Sequence, residues 1–336
     1  MIAAAASNTF GTIPVREVPV SLDDSTSAIN PPTPSRLRRV FFGPAELRAG
    51  WRLLIFLGVL PLSLGVIVLV VLAVRGRAAQ ESLPVLNDLL TSSIVLVATA
   101  VMAIFERRRL ADYGLPLRQC LGEKFWAGVL VGLATMTTLM AAMHLAGVVS
   151  LSKGTAQGSA LVTYAVFAAV GFVFGAAFEE LLCRGYLLFT LTTGLGFWPA
   201  AVLSSTLFAV LHRLNPGETW FGCFSTGVFG LLLCVILRRT GNLWMPIGFH
   251  ASYNWAESFF YGTPDSGILA RERFLTAEFS GSKWLTGGSA GPEGSALCVA
   301  LIVLITIAFG LWRRTAKYPD PTALRTASAE TVAAAD

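Results

Sequence analysis

Residues 175–189 read GAAFEELLCRGYLLF, two adjacent glutamates and an arginine inside a run otherwise fit for lipid. The rest of the chain is equally apolar. Of its 336 residues 54% are hydrophobic and only 13% charged, and its mean hydropathy of +0.65 lies well outside the soluble range. Stretches of about 17 to 25 apolar residues can cross the hydrocarbon core as helices. They recur near 53–74, 86–104, 125–148, 161–182, 197–212, 221–237, 243–260 and 296–312. The sequence predicts an all-α protein, a polytopic membrane helix bundle of about eight transmembrane helices.

Composition divides the chain into three parts. Residues 1–45, with Pro31, Pro32, Pro34 and several charges, read as a disordered N-terminal tail. Residues 46–317 form the transmembrane domain, and the Ala/Thr-rich 318–336 read as a second disordered tail. The first span lies too far along the chain for a secretory signal. No solenoid repeat is visible, and the spans leave no room for a second globular domain.

Basic residues at span ends set the orientation. Arg36, Arg38, Arg39, Arg48 and Arg52 precede the first span, and Arg107, Arg108, Arg109, Arg118 and Lys124 separate the second from the third. Arg238 and Arg239 follow the sixth; Arg313, Arg314 and Lys317 follow the eighth. An even number of spans gathers all of these on one side, which predicts a multi-pass protein of the plasma membrane with both termini cytoplasmic. The net charge of +5 then reflects this bias and anionic lipid headgroups, so membrane lipids are expected partners and nucleic acid is not. The five cysteines, Cys120, Cys183, Cys223, Cys234 and Cys298, are odd in number and lack CxxC pairing; neither a structural disulfide nor a cysteine metal site is expected.

An ionisable residue at the centre of a spanning helix costs roughly 2.5–3.5 kcal/mol on insertion scales and normally faces a bundle interior or a wet cavity. Glu180 and Arg184 are four residues apart with the glutamate first, the favourable helical pair, so Glu180 is expected to be held charged by Arg184. Glu179 points about 100° away. It follows Gly171 and Gly175 on a small-residue stripe, which places it at a helix seam without a dedicated cation, where a carboxylate can act as general base toward water.

Of three histidines, His144 has no polar companion and reads as a packing or interfacial residue. His212 closes FAVLH, a turn after Phe208. Counted from the turn near Gly194, Glu179 and His212 lie at similar depth in an antiparallel hairpin and can meet, giving an acid/base pair able to deprotonate water and protonate a leaving amine. His250 and Asn254, in GFHASYNW, share one helical face and offer N–H donors suited to a developing oxyanion. Pro246 marks the first turn of that helix or a kink. Each pair also suits a plain packing role, glutamates with Arg184 and His250 with Asn254 as clasps between helices. Together they supply what amide hydrolysis requires.

Glu179-Glu180-xxx-Arg184, Phe208-xxx-His212 and His250-xxx-Asn254, in that order on successive helices, resemble the three motifs of the CAAX protease and bacteriocin-processing family, also called type II CAAX prenyl endopeptidases or Abi proteins. The match is residue for residue and covers roughly 120–260, the expected protease-like core. The resemblance implies an intramembrane endopeptidase, a hydrolase acting near the C-terminus of a membrane-associated or lipidated protein. It implies that Glu179 and His212 activate water, that His250 and Asn254 stabilise the oxyanion, and that Glu180 and Arg184 organise the site. The family has been described both as metalloendopeptidases and as glutamate proteases. Glu179, His212 and His250 are candidate zinc ligands, yet the chain has no HExxH, and a metal-free glutamate mechanism without a cofactor is the expectation. The alternative is a non-catalytic membrane scaffold or bacteriocin-immunity-type protein that uses the same buried polar residues for packing. A proton-relaying transporter is disfavoured, since no paired Gly/Pro-broken helices occur in matching halves. The segment 261–295, with Gly287, Gly288, Gly291 and Pro292, resembles nothing and reads as a lid, a partner site or a spacer.

Overall fold

A computed structural model describes residues 40–43, 47–75, 84–158, 160–312 and 314–320. The helices are α1 (Ala49–Arg75), α2 (Pro84–Phe105), α3 (Glu123–Leu145), α4 (Ala160–Glu180), α5 (Leu187–Leu195), α6 (Phe197–His212), α7 (Trp220–Thr240), α8 (Trp244–Trp255) and α9 (Ala296–Trp312). Short strands β1 (Val149–Lys153), β2 (Pro264–Asp265), β3 (Ile268–Leu269) and β4 (Leu275–Phe279) lie between them. The protein is an all-α membrane bundle: among the described residues five helical stretches are long and apolar enough to cross a membrane, the fourth covering α4 and α5 over Ala160–Leu195. Helices α6 and α9 are apolar but have 16 and 17 residues.

Local chemistry fixes the ends. Thr219 caps α7, its hydroxyl accepting the Gly222 N–H at 2.9 Å, and Arg238 and Arg239 occupy the last turn where cations complement the helix dipole. Gly241, at φ 66°, then turns the chain left-handed. The buried Asn242 opens α8 by accepting the Trp244 N–H at 2.8 Å, and Pro246 sits in the first turn of that helix. Gly196, at φ 82°, makes the turn between α5 and α6.

Of the expected small-residue stripe Gly171 is buried, whereas a Cβ added at Gly175 meets open space. The close approach is between α3 and α8, where a Cβ on Gly128 would come within 2.2 Å of the Met245 carbonyl oxygen and one on Gly248 within 2.2 Å of that of Phe125. These are backbone contacts no side chain allows, so the helix bearing His250 is held in a fixed position.

One end of the bundle gathers the basic flanks. Arg52 pairs with Glu106 through Nε at 2.9 Å and Nη2 at 2.6 Å, and Glu106 also accepts the hydroxyls of Tyr113 and Tyr186. Lys317 N–H donates to the Arg238 carbonyl at 2.8 Å, and Lys124 Nζ to that of Thr240 at 3.1 Å. The exposed ring of Phe41 lies tilted against that of Trp51 at 4.8 Å. Tyr318 is buried against Gly114 and near Phe189. The remainder of the two expected tails, 1–39, 44–45 and 321–336, lies outside the described residues.

At the other end the segment 261–295 is folded. Strand β4 pairs antiparallel with β1, Val149 opposite Phe279, and β2 and β3 form a small hairpin. Gly217 and Gly267 touch backbone to backbone, a Cβ on the first reaching within 2.6 Å of the second. The segment is thereby tied to two other connections of the same end.

Candidate active site

The quoted stretch departs from a straight helix. After α4 the backbone widens into a π segment, Leu181–Tyr186, with Gly185 at φ −77°, ψ −116°, before α5 resumes. Such insertions are frequent at functional sites. Here it keeps both charged partners inside: Glu180 and Arg184 are each 0% exposed, and Arg184 Nη1 donates to Glu180 Oε1 at 3.0 Å. The guanidinium carbon lies 4.2 Å from the Phe208 ring centroid, a cation–π contact that covers its other side.

His250, 3% exposed at its side chain, reaches the same carboxylate from α8: its Nδ1 lies 3.0 Å from Glu180 Oε1. Its Nε2 lies 3.5 Å from Glu179 Oε2, while His212 Nε2 approaches Glu179 Oε1 at 4.0 Å. The Nδ1 of His212 lies 2.9 Å from the Phe208 carbonyl oxygen. A carbonyl can only accept, so that nitrogen carries a proton and the neutral ring keeps its lone pair on Nε2, facing Glu179. For His250 to donate to Glu180 and also present an N–H at Nε2, the ring must carry both protons. The seam expected for Glu179 lies between His212 and His250, and no Lys or Arg pairs with it among the described residues.

Exposure is graded across the cluster. Glu179 is 30% exposed against 0% for Glu180, so one carboxylate is locked in a dry pair and its neighbour is open to a reactant. Asn254 stands one turn beyond His250, half-buried, and its carboxamide makes no hydrogen bond among the described residues. His144 is exposed, its Nδ1 3.2 Å from the Val149 carbonyl oxygen. The ring of Phe229 sits 5.3 Å from that of His250 and completes an apolar wall with Phe208.

Two imidazoles and a carboxylate are a zinc donor set, and both Nδ1 atoms have the outer partners that zinc-binding histidines carry. The Glu179 carboxylate lies 3.5 Å from His250 Nε2 and 4.0 Å from His212 Nε2, so the donor chemistry fits the metal.

The loop chemistry near the site was not legible in the sequence. Burial pushes the Asp265 carboxyl up to about 7, with Glu179 adding to the rise and His250 opposing it. Burial likewise raises the Glu218 carboxyl, opposed by the Thr219 N–H, His212 and Arg213. Both groups therefore share the electrostatic field of the cluster. Glu257, fully buried, follows Asn254 by three residues; an ionisable residue inside the 243–260 stretch was a signal of the same kind as Glu179.

Residues 161–256 match the family model described as type II CAAX prenyl endopeptidase Rce1-like, the family that the motifs resemble, and this stretch holds Glu179, Glu180, Arg184, His212, His250 and Asn254. The match is shorter than the 120–260 expected from the motifs. No curated protein matches the chain.

Proposed function

We propose that the protein is an intramembrane endopeptidase that hydrolyses a peptide bond of a membrane-associated or lipidated protein, near the substrate's C-terminus, with water activated by Glu179 and His212. The observation carrying this reading is the half-open Glu179 carboxylate with an imidazole Nε2 on either side, at 3.5 and 4.0 Å. A packing clasp has no use for that opening.

In this reading Glu179 takes a proton from water as its oxygen attacks the carbonyl carbon. His250, held by Glu180, and Asn254 donate N–H bonds to the tetrahedral oxyanion. As the C–N bond breaks, the proton taken from water passes by way of Glu179 and His212 to the leaving amine. Arg184 keeps Glu180 ionised, which keeps His250 oriented. No metal takes part; a zinc held by Glu179, His212 and His250 would instead supply Lewis-acid polarisation. The protein works as a multi-pass protein of the plasma membrane, both termini cytoplasmic, among anionic lipids.

The test is cleavage of quenched fluorescent membrane-anchored peptides, one of them a prenylated CAAX peptide, by the purified protein in liposomes with and without a chelator. Cleavage indifferent to chelation and lost in His212→Ala supports the reading. Cleavage abolished by chelation and restored by zinc overturns the metal-free mechanism, and a wild-type protein that binds these peptides yet cuts none supports the scaffold.

A further inference from the structure

Glu257, Asp265 and Glu293 come from three separate pieces of chain: the π segment that continues α8, strand β2 and the 3-10 turn Pro292–Gly294. One carboxylate oxygen from each lies within 4.8 Å of the other two. Oxygens on opposite sides of a calcium ion, each about 2.3–2.6 Å from it, span about 5 Å, so this is the spacing of one coordination sphere.

A second observation separates the cluster from an ordinary acidic patch. Glu257 is 0% exposed, and neither of its carboxylate oxygens has a hydrogen-bond partner. A buried carboxyl without a hydrogen-bond partner is ionised only when it is paired with a cation or bound to a metal. No Lys or Arg pairs with any of the three among the described residues. Meanwhile the other two carboxylates are held in place: Glu293 Oε1 accepts from the Ser266 N–H at 2.5 Å and its hydroxyl at 2.6 Å, and Asp265 Oδ2 accepts from Ser258 at 3.3 Å. Ser225 further fixes the Glu293 carbonyl at 2.5 Å. Asp265 and Glu293 are only half-buried, which leaves a hydrated ion a way in.

We propose that Glu257, Asp265 and Glu293 form a binding site for a hard divalent cation, calcium by preference, which ties the segment 261–295 to the helix that carries His250 and Asn254. All-oxygen, all-carboxylate donors select calcium, magnesium or manganese over zinc or copper. Calcium tolerates irregular geometry and fills its remaining positions with water, whereas magnesium demands a near-ideal octahedron. The site is separate from Glu179 and stands whether or not the protein is a protease.

The test uses the full chain in detergent, stripped with EDTA and dialysed, then titrated with calcium while radiolabelled calcium binding and thermal unfolding are followed. One calcium per chain binds with a dissociation constant of about 10⁻³ M or tighter and raises the unfolding temperature. Glu257→Gln weakens binding by about tenfold or more and removes the shift. In EDTA its unfolding temperature stays close to that of the wild type, because glutamine nearly matches the shape of glutamate. Asp265→Asn, on the more exposed strand, loses the shift as well and serves if Glu257→Gln does not fold. Glu179→Gln keeps both binding and shift. No binding up to about 10 mM, above the range of known calcium modules, overturns the proposal. So does binding that survives both cluster variants, or binding that is lost in Glu179→Gln.

Discussion

His250 and Glu180 share a hydrogen bond of 3.0 Å in which the imidazole Nδ1 donates to a carboxylate already held by Arg184. Fixing Nδ1 aims Nε2 at Glu179, 3.5 Å away. Adjacent glutamates thus do different work: one orients a histidine from behind and the other meets it from the front.

Arg184→Ala leaves Glu180 buried without its cation. Removing one partner of a buried pair costs about 3–5 kcal/mol, more than an exposed pair ever contributes. Thermal unfolding in detergent should show a large destabilisation, and Arg184→Met combined with Glu180→Gln should lose much less than the sum of the two single changes.

Asn254→Ala should separate function from stability. The carboxamide bonds to nothing within the described fold, so its removal should leave the unfolding temperature nearly unchanged. Loss of one oxyanion donor typically lowers kcat about 10² to 10³-fold. A matched set of unfolding curves and cleavage rates checks both halves.

The helix seam gives a prediction free of catalysis. Gly248→Ala drives a methyl into the Phe125 carbonyl, whereas Gly175→Ala enters open space. The first should destabilise by about 1–3 kcal/mol or more, as overpacking does. The second should be neutral or slightly stabilising, since alanine is the better helix former. Denaturant titration of the two variants side by side measures the contrast.

Phe208 joins two features of the site, its ring lying over Arg184 and its carbonyl accepting from His212. Phe208→Leu removes the cation–π contact and keeps the carbonyl. Its expected effect is a loss of about 0.5–2 kcal/mol in stability, with the cleavage rate falling far less than in His212→Ala. Measuring both quantities for both variants separates the ring from the carbonyl.

Much of this was legible in the sequence because it rests on short-range regularities. The i,i+4 spacing of Glu180 and Arg184 and the count from Gly194 that matched Glu179 with His212 in depth both led to real contacts. The closest backbone approach was hidden because small residues at steps of four occur on several helices, and only tertiary packing decides that Gly128 and Gly248 meet a neighbour while Gly175 does not. Asp265 and Glu293 were invisible for another reason. They sit in the two-residue strand β2 and a 3-10 turn, 28 residues apart, and no periodicity relates them to each other or to Glu257. The π segment was equally hidden, since a widened turn leaves the apolar pattern of LLCRGY unchanged.

The most direct test of the central claim is the first-order cleavage rate of a membrane-anchored peptide by the wild type and by Glu179→Gln, with unfolding temperatures measured on the same preparations. The account predicts a rate lowered about 10² to 10⁴-fold, the range of a lost general base, at an unfolding temperature that stays close to wild type because Glu179 is the open member of the pair. A Glu179→Gln protein that folds and cleaves within about threefold of the wild-type rate, well below that range, would contradict it.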